Sequence, residues 1–102
     1  MTTDFYRQGD VGFLAIDTLP DTLNEQTSPV LVEGEVTGHA HRIETMDTVR
    51  ILATANMLLF LQVVRPTRIV HEEHGPITLP PGNYKIIRQR EYAPEEIRTV
   101  ID

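Results

Sequence analysis

Every apolar stretch in this chain is cut short by turn-forming residues, and that feature most constrains what it can fold into. The longest, Met57 to Leu61, spans five residues; extended past Gln62 it reaches Val64, followed closely by Pro66. Segments of that length suit strands, because strands in compact domains run to about 4–8 residues between turn signals. Gly9 precedes the apolar segment 10–16, and Leu19-Pro20-Asp21 follows it. Residues 21–29 are polar and read as a loop. Val30 to Thr37 reads as a strand in which Gly34 marks a candidate bulge. Residues 40–45 and 48–53 read as two more, joined near Met46-Asp47.

The run 57–64 is apolar on both parities, which suits a central strand covered on both faces; Thr54-Ala55-Asn56 and Pro66 leave no room for a buried helix. Residues 68–71 read as extended. Pro81-Gly82 predicts a type II turn, since Pro presets one position and Gly supplies a positive φ at the next. In the strand predicted at 83–92, Tyr84, Ile86, Arg88, Arg90 and Tyr92 share one face and Lys85, Ile87, Gln89 and Glu91 the other. Neither face is wholly apolar, so this strand is expected to run toward an edge or a partner. Pro94-Glu95-Glu96-Ile97-Arg98 suits one helical turn, and Ile97, Thr99, Ile101 suits a last strand equally well. Eight or nine short strands predict a single all-β domain over residues 1–102, an antiparallel β-barrel or sandwich.

Composition removes several functions. The 102 residues include no cysteine, which excludes a disulfide framework, an iron–sulfur cluster, a cysteine zinc site and thiol catalysis. The net charge of −6 disfavours unspecific binding to nucleic acid or anionic membrane. All of that excess lies in residues 1–62, because residues 63–102 balance six bases against six acids. No start-proximal basic and apolar pair of regions marks a signal peptide, and no apolar run approaches the ~20 residues of a membrane helix. A soluble, cytoplasmic protein is the expectation. Ser28 is the only serine and lacks a nucleophile elbow, and no glycine-rich phosphate loop is present.

The chemistry-bearing residues are the four histidines, in two pairs: Gly38-His39-Ala40-His41 and His71-Glu72-Glu73-His74. On an extended chain residues i and i+2 share a face, so His39 and His41 can address one ion. Glu44 follows three residues on, and His71 and His74 supply further imidazoles. Imidazole with carboxylate suits Zn, Fe, Mn or Ni. The competing reading is a pair of hydrogen-bonded turns with solvated glutamates. Tyr84, Lys85, Arg88, Arg90 and Tyr92 form a basic and aromatic strand of the kind that stacks single-stranded nucleic acid. Glu91 inside it and the acidic total favour a charge-protected edge strand instead.

The run Glu33 to Glu44, with glycine, His-x-His and then glutamate, resembles the first cupin motif. Gly75-Pro76-Ile77-Thr78-Leu79-Pro80-Pro81-Gly82 resembles the start of the second, with Lys85 where that motif has histidine. The resemblance implies a cupin-like or jelly-roll-like barrel with a divalent metal on His39, His41 and Glu44, and His71 or His74 in place of the missing ligand. Segments Glu33–Ile43, His71–Pro81 and Arg88–Tyr92 also resemble small uncharacterised proteins of bacteria, phages and mobile elements. That likeness implies a phage or mobile-element origin and, in that case, a virion-associated location, without an activity.

Two functions follow as expectations. One is a non-enzymatic accessory, structural or partner-binding protein, homo-oligomeric through partly apolar strand edges. The other is a metal-dependent cupin-like binder or enzyme. Nucleic-acid binding through Tyr84–Tyr92 ranks behind both.

Overall fold

Alternation along short strands decides which side chains meet, and the computed structural model shows the result for residues 4–34 and 38–88. Ten strands lie among the described residues: β1 (Phe5–Gln8), β2 (Val11–Ile16), β3 (Asn24–Gln26), β4 (Val30–Glu33), β5 (Ala40–Ile43), β6 (Val49–Ala53), β7 (Leu59–Val63), β8 (Thr67–Val70), β9 (Ile77–Leu79) and β10 (Gly82–Arg88). A single 3-10 turn, Met46–Thr48, joins β5 to β6. The strands form two antiparallel sheets, one ordered β1-β2-β10-β7-β6-β3 and the other β4-β5-β8-β9. The two sheets do not join into a closed barrel. Of the two architectures the periodicity allows, the chain adopts the sandwich-like one.

Directly opposed residues in an antiparallel pair share a face. The inner row of the larger sheet therefore carries Phe13, Tyr84, Leu61 and Ile51, and the smaller sheet answers with Leu31, Ile43, Ile69 and Leu79. Phe13, Leu61, Ile69 and Leu79 are wholly buried. Each such side chain contributes about 1.5–3 kcal/mol through removal of apolar surface from water. Tyr84 keeps its hydroxyl satisfied by donating to the Pro80 carbonyl at 2.6 Å, and burial pushes that hydroxyl up to about 12.

Strand β7 lies between β10 and β6 with Leu61 buried on one face and Phe60 on the other, as a strand apolar on both parities requires. Four expectations change. The loop predicted at 21–29 contains β3, a polar edge strand paired to β6 and tied by the Arg50–Glu25 ion pair at 3.2 Å. Its stability comes from backbone pairing, so no apolar period announces it. Strand β10 is not at an edge but between β2 and β7, because Tyr84 and Ile87 are buried on opposite faces of it. Pro81-Gly82 does turn the chain, carrying it from the smaller sheet to the larger, yet Gly82 has φ +152° and already pairs with Val63. The irregularity in β4 falls between Val30 and Val32, not at Gly34.

The burial of Tyr84 also removes one of the two rings on which stacking of single-stranded nucleic acid depended. Tyr92, Arg90 and the element predicted at 94–101 lie outside the described residues, as do residues 35–37 of the predicted strand 30–37. Among the described residues no helix is long and apolar enough to cross a membrane.

Candidate functional site

The inner rows do not end where the apolar core ends. In the smaller sheet His41 continues the row of Ile43, and His71 follows Ile69 two residues on, just past the end of β8. Strand β1 brings Gln8 to the same place from the larger sheet, and Gln8 is wholly buried. Its amide nitrogen donates to the carbonyls of Ile69 at 3.0 Å and Gly75 at 2.9 Å. The amide oxygen is thereby left to face the Nδ1 of His41 at 2.8 Å. Since that oxygen accepts only, His41 carries its proton on Nδ1 and presents a lone pair at Nε2.

All four histidines converge here. The His41 and His71 rings lie 4.3 Å apart between centroids, and His71 and His74 4.8 Å. His39 meets His71 edge-on at 5.7 Å, and His74 lies nearly parallel to His41 at 6.1 Å. Burial, and then the neighbouring His71, lower the His41 imidazole to about 4, with Asp10 opposing. It is neutral at pH 7. Burial and then His74 lower His71 as well.

The turn after β8 is built from its own histidine. The Nδ1 of His71 accepts the backbone N–H of Glu73 at 3.0 Å and of His74 at 3.3 Å. A neutral His71 therefore holds its proton on Nε2 and acts in the cluster as a donor. Glu72 clips this turn to β5, its carboxylate accepting the Ala40 N–H at 2.8 Å and an Arg42 N–H at 2.6 Å. Those bonds hold the Glu72 carboxyl down at about 2. On the other side, Gly9 turns β1 into β2 with φ +62°, and a β-carbon there would collide with the His74 imidazole. The glycine thus serves the turn and the histidine together.

Two carboxylates reach the cluster without hydrogen-bonding to it. The Oδ1 of Asp10 stands 3.8 Å from the Nε2 of His41, and the Oε1 of Glu73 stands 3.6 Å from the Nδ1 of His39. Among the described residues no group of three or more His, Asp or Glu side chains is placed so that it could hold a metal ion. Glu44 lies apart. It follows His41 by an odd number of residues, which turns it to the other face of the sheet, and its Oε2 pairs with the Nε of Arg68 at 3.7 Å.

Of the five residues singled out from the sequence, the fold brings together His39, His41, His71 and His74, and it sets Glu44 with Arg68. Gln8 and Asp10 were missed. Gln8 has no signal of its own, since a polar residue in a four-residue strand reads as exposed. Asp10 beside Gly9 reads as a turn residue.

The structure thus defines a small antiparallel two-sheet protein with a histidine cluster gathered around the buried His41, which Gln8 holds by a hydrogen bond. By sequence the chain belongs to the family described as Domain of unknown function (DUF8820), whose model matches residues 7–89. Comparison with curated proteins and with solved structures gave no match.

Proposed function

We propose that this protein is a non-enzymatic binding module that takes up a divalent transition-metal ion at the histidine cluster. The observation that carries the proposal is the convergence of four imidazoles around His41, whose tautomer Gln8 locks. Metal-bound histidines characteristically donate their second ring N–H to a neighbouring acceptor, which fixes the ring and raises its basicity. His41 has that partner, is neutral, and offers Nε2.

Asp10 is the natural companion ligand. Bonds of ~2.0–2.2 Å place two ligands of a tetrahedral ion about 3.3–3.6 Å apart. The Asp10–His41 separation of 3.8 Å is too long for a hydrogen bond and close to that ligand spacing. His74, held against Gly9 beside Asp10, supplies the third donor by a turn of its ring. His71 is a positioning residue, because its Nδ1 is taken by backbone N–H groups. A cupin-type set would instead require Glu44, which the ion pair with Arg68 draws away. Imidazole with carboxylate suits Zn²⁺ or Ni²⁺.

Elemental analysis of untagged protein and melting with added Zn²⁺ or Ni²⁺ test this. Saturating metal should raise the melting temperature by about 10 °C, the effect of ligand at roughly a hundred times its Kd on a domain this size. Asp10→Asn and His41→Ala should abolish the rise, and Glu44→Gln should leave it intact. No rise with either ion would overturn the proposal. So would loss in Glu44→Gln with retention in Asp10→Asn.

A further inference from the structure

Strands β5 and β8 stop pairing where the histidines begin. Their register sets Ile43 opposite Ile69 and Arg42 opposite Val70. Two further steps of it would set His41 opposite His71 and Ala40 opposite Glu72. Backbone-bonded pairs recur at every second residue of an antiparallel ladder, with closer unbonded pairs between them. The Glu44 N–H donates to the Arg68 carbonyl at 3.0 Å, which makes Glu44, Arg42 and Ala40 the bonded positions. His41 and His71 fall in step with the close positions, and their rings lie 4.3 Å apart.

A continued ladder would give the Ala40 N–H to the backbone carbonyl of Glu72. The Glu72 side chain takes it instead, Oε1 accepting at 2.8 Å. Its second oxygen, Oε2, accepts an Arg42 N–H at 2.6 Å. One carboxylate thus stands in for the last rung of the ladder, and the backbone beyond His71 is released to turn. The Nδ1 of His71 then gathers the N–H groups of Glu73 and His74. At the far end of this turn, Gln8 holds the Gly75 carbonyl at 2.9 Å. The stretch that carries His71 and His74 is thereby fastened to β5 by Glu72 and to β1 by Gln8.

We infer that Glu72 is the positioning residue of the histidine cluster: its carboxylate fixes the turn bearing His71 and His74 against the strand bearing His41. It is not itself a ligand, because one oxygen is engaged by Ala40 and the other by Arg42. Hydrogen bonds of a carboxylate to a guanidinium or a backbone N–H are about twice as strong as neutral ones, and they fix direction as well as distance. Where the cluster takes up an ion, a consequence that rests on the metal-binding reading above, Glu72 sets the affinity. Loss of a group that orients metal ligands typically costs about 10–100-fold.

Two measurements test the inference, one without metal and one with it. With a chelator present at neutral pH, nitrogen-15 NMR of the imidazoles should show His71 with its proton on Nε2 alone. Glu72→Ala should turn that single tautomer into a mixture, and Glu72→Gln, which keeps an acceptor for Ala40, should preserve it. The Glu72 side chain is 35% exposed and stands outside the apolar core, so its truncation should leave the fold intact. Zn²⁺ affinity, read by competition with a chromophoric chelator well below the melting temperature, should fall about tenfold or more in Glu72→Ala. It should fall less in Arg42→Ala, which spares the bond to Ala40. Glu25→Ala, which breaks the exposed ion pair with Arg50, should leave both readouts unchanged. An unaltered His71 tautomer in Glu72→Ala would overturn the inference, as would an unaltered Zn²⁺ affinity in a chain that binds the ion. A tautomer mixture in Glu72→Ala with no Zn²⁺ uptake by the unsubstituted chain would support the positioning role and overturn the metal-binding reading alone.

Discussion

The histidine cluster and a groove of about 590 Å³ beside Leu31, Met57, Leu58 and Ile86 are both places where the two sheets fail to close over an apolar interior. They handle that failure in opposite ways. At the cluster, the side chains from three separate stretches of chain are tied by directional bonds: Gln8 to two carbonyls and His41, Glu72 to Ala40 and Arg42, His71 to its own turn. At the groove, Met57 and Leu58 stand largely exposed. Directional bonds select one small ligand by geometry, and an open apolar surface binds by area. One fold thus carries a hydrogen-bonded polar site and an open apolar one.

The comparison breaks most readily at Gln8. Gln8→Ala would leave the Ile69 carbonyl and the His41 Nδ1–H buried without partners. It should cost about 3 kcal/mol in urea unfolding, with the metal-induced rise in melting lost as well. An equivalent substitution in the groove, such as Leu58→Ala, should change stability far less, because Leu58 is half exposed.

Acid should weaken the protein through the same residue. In the presence of a chelator, His41 titrates at about 4 when folded and at about 6.5 when unfolded. Above pH 6.5 both forms are neutral and the native state keeps its full stability. As pH falls from 6.5 toward 4 the unfolded chain takes up the proton first, so stability is lost across that window, by up to about 3 kcal/mol, and levels off below it. His41→Gln should flatten this slope in unfolding curves measured at successive pH values.

The smallest effect sharpens the contrast from the groove side. Met57 stands at φ +66°. Met57→Gly should stabilise the fold by about 1 kcal/mol in urea unfolding, since glycine adopts the left-handed conformation without the steric cost that methionine bears.

Much of the architecture was legible in the sequence. The alternation of Val49, Ile51 and Ala53, the two-sided apolar run at Leu59–Val63 and the Pro81-Gly82 turn each report local rules of strand and turn. His39 and His41 both meet His71, although β5 begins only at Ala40. Gln8 and Asp10 were not legible, since each acquires its meaning from a residue more than 30 positions away. Glu44 was misleading for the converse reason: near in sequence to His41, it is turned away by one step of the strand's two-residue period.

Sequence alone determined the all-β class and the set of imidazoles available once cysteine is absent, because these follow from composition and local periodicity. Tertiary structure decided that the strands divide into two sheets, that β10 lies inside one of them, and that four histidines gather around the His41 that Gln8 holds. Those outcomes depend on which strands pair across long stretches of chain, and pairing is selected by the summed burial of both inner faces rather than by any one segment.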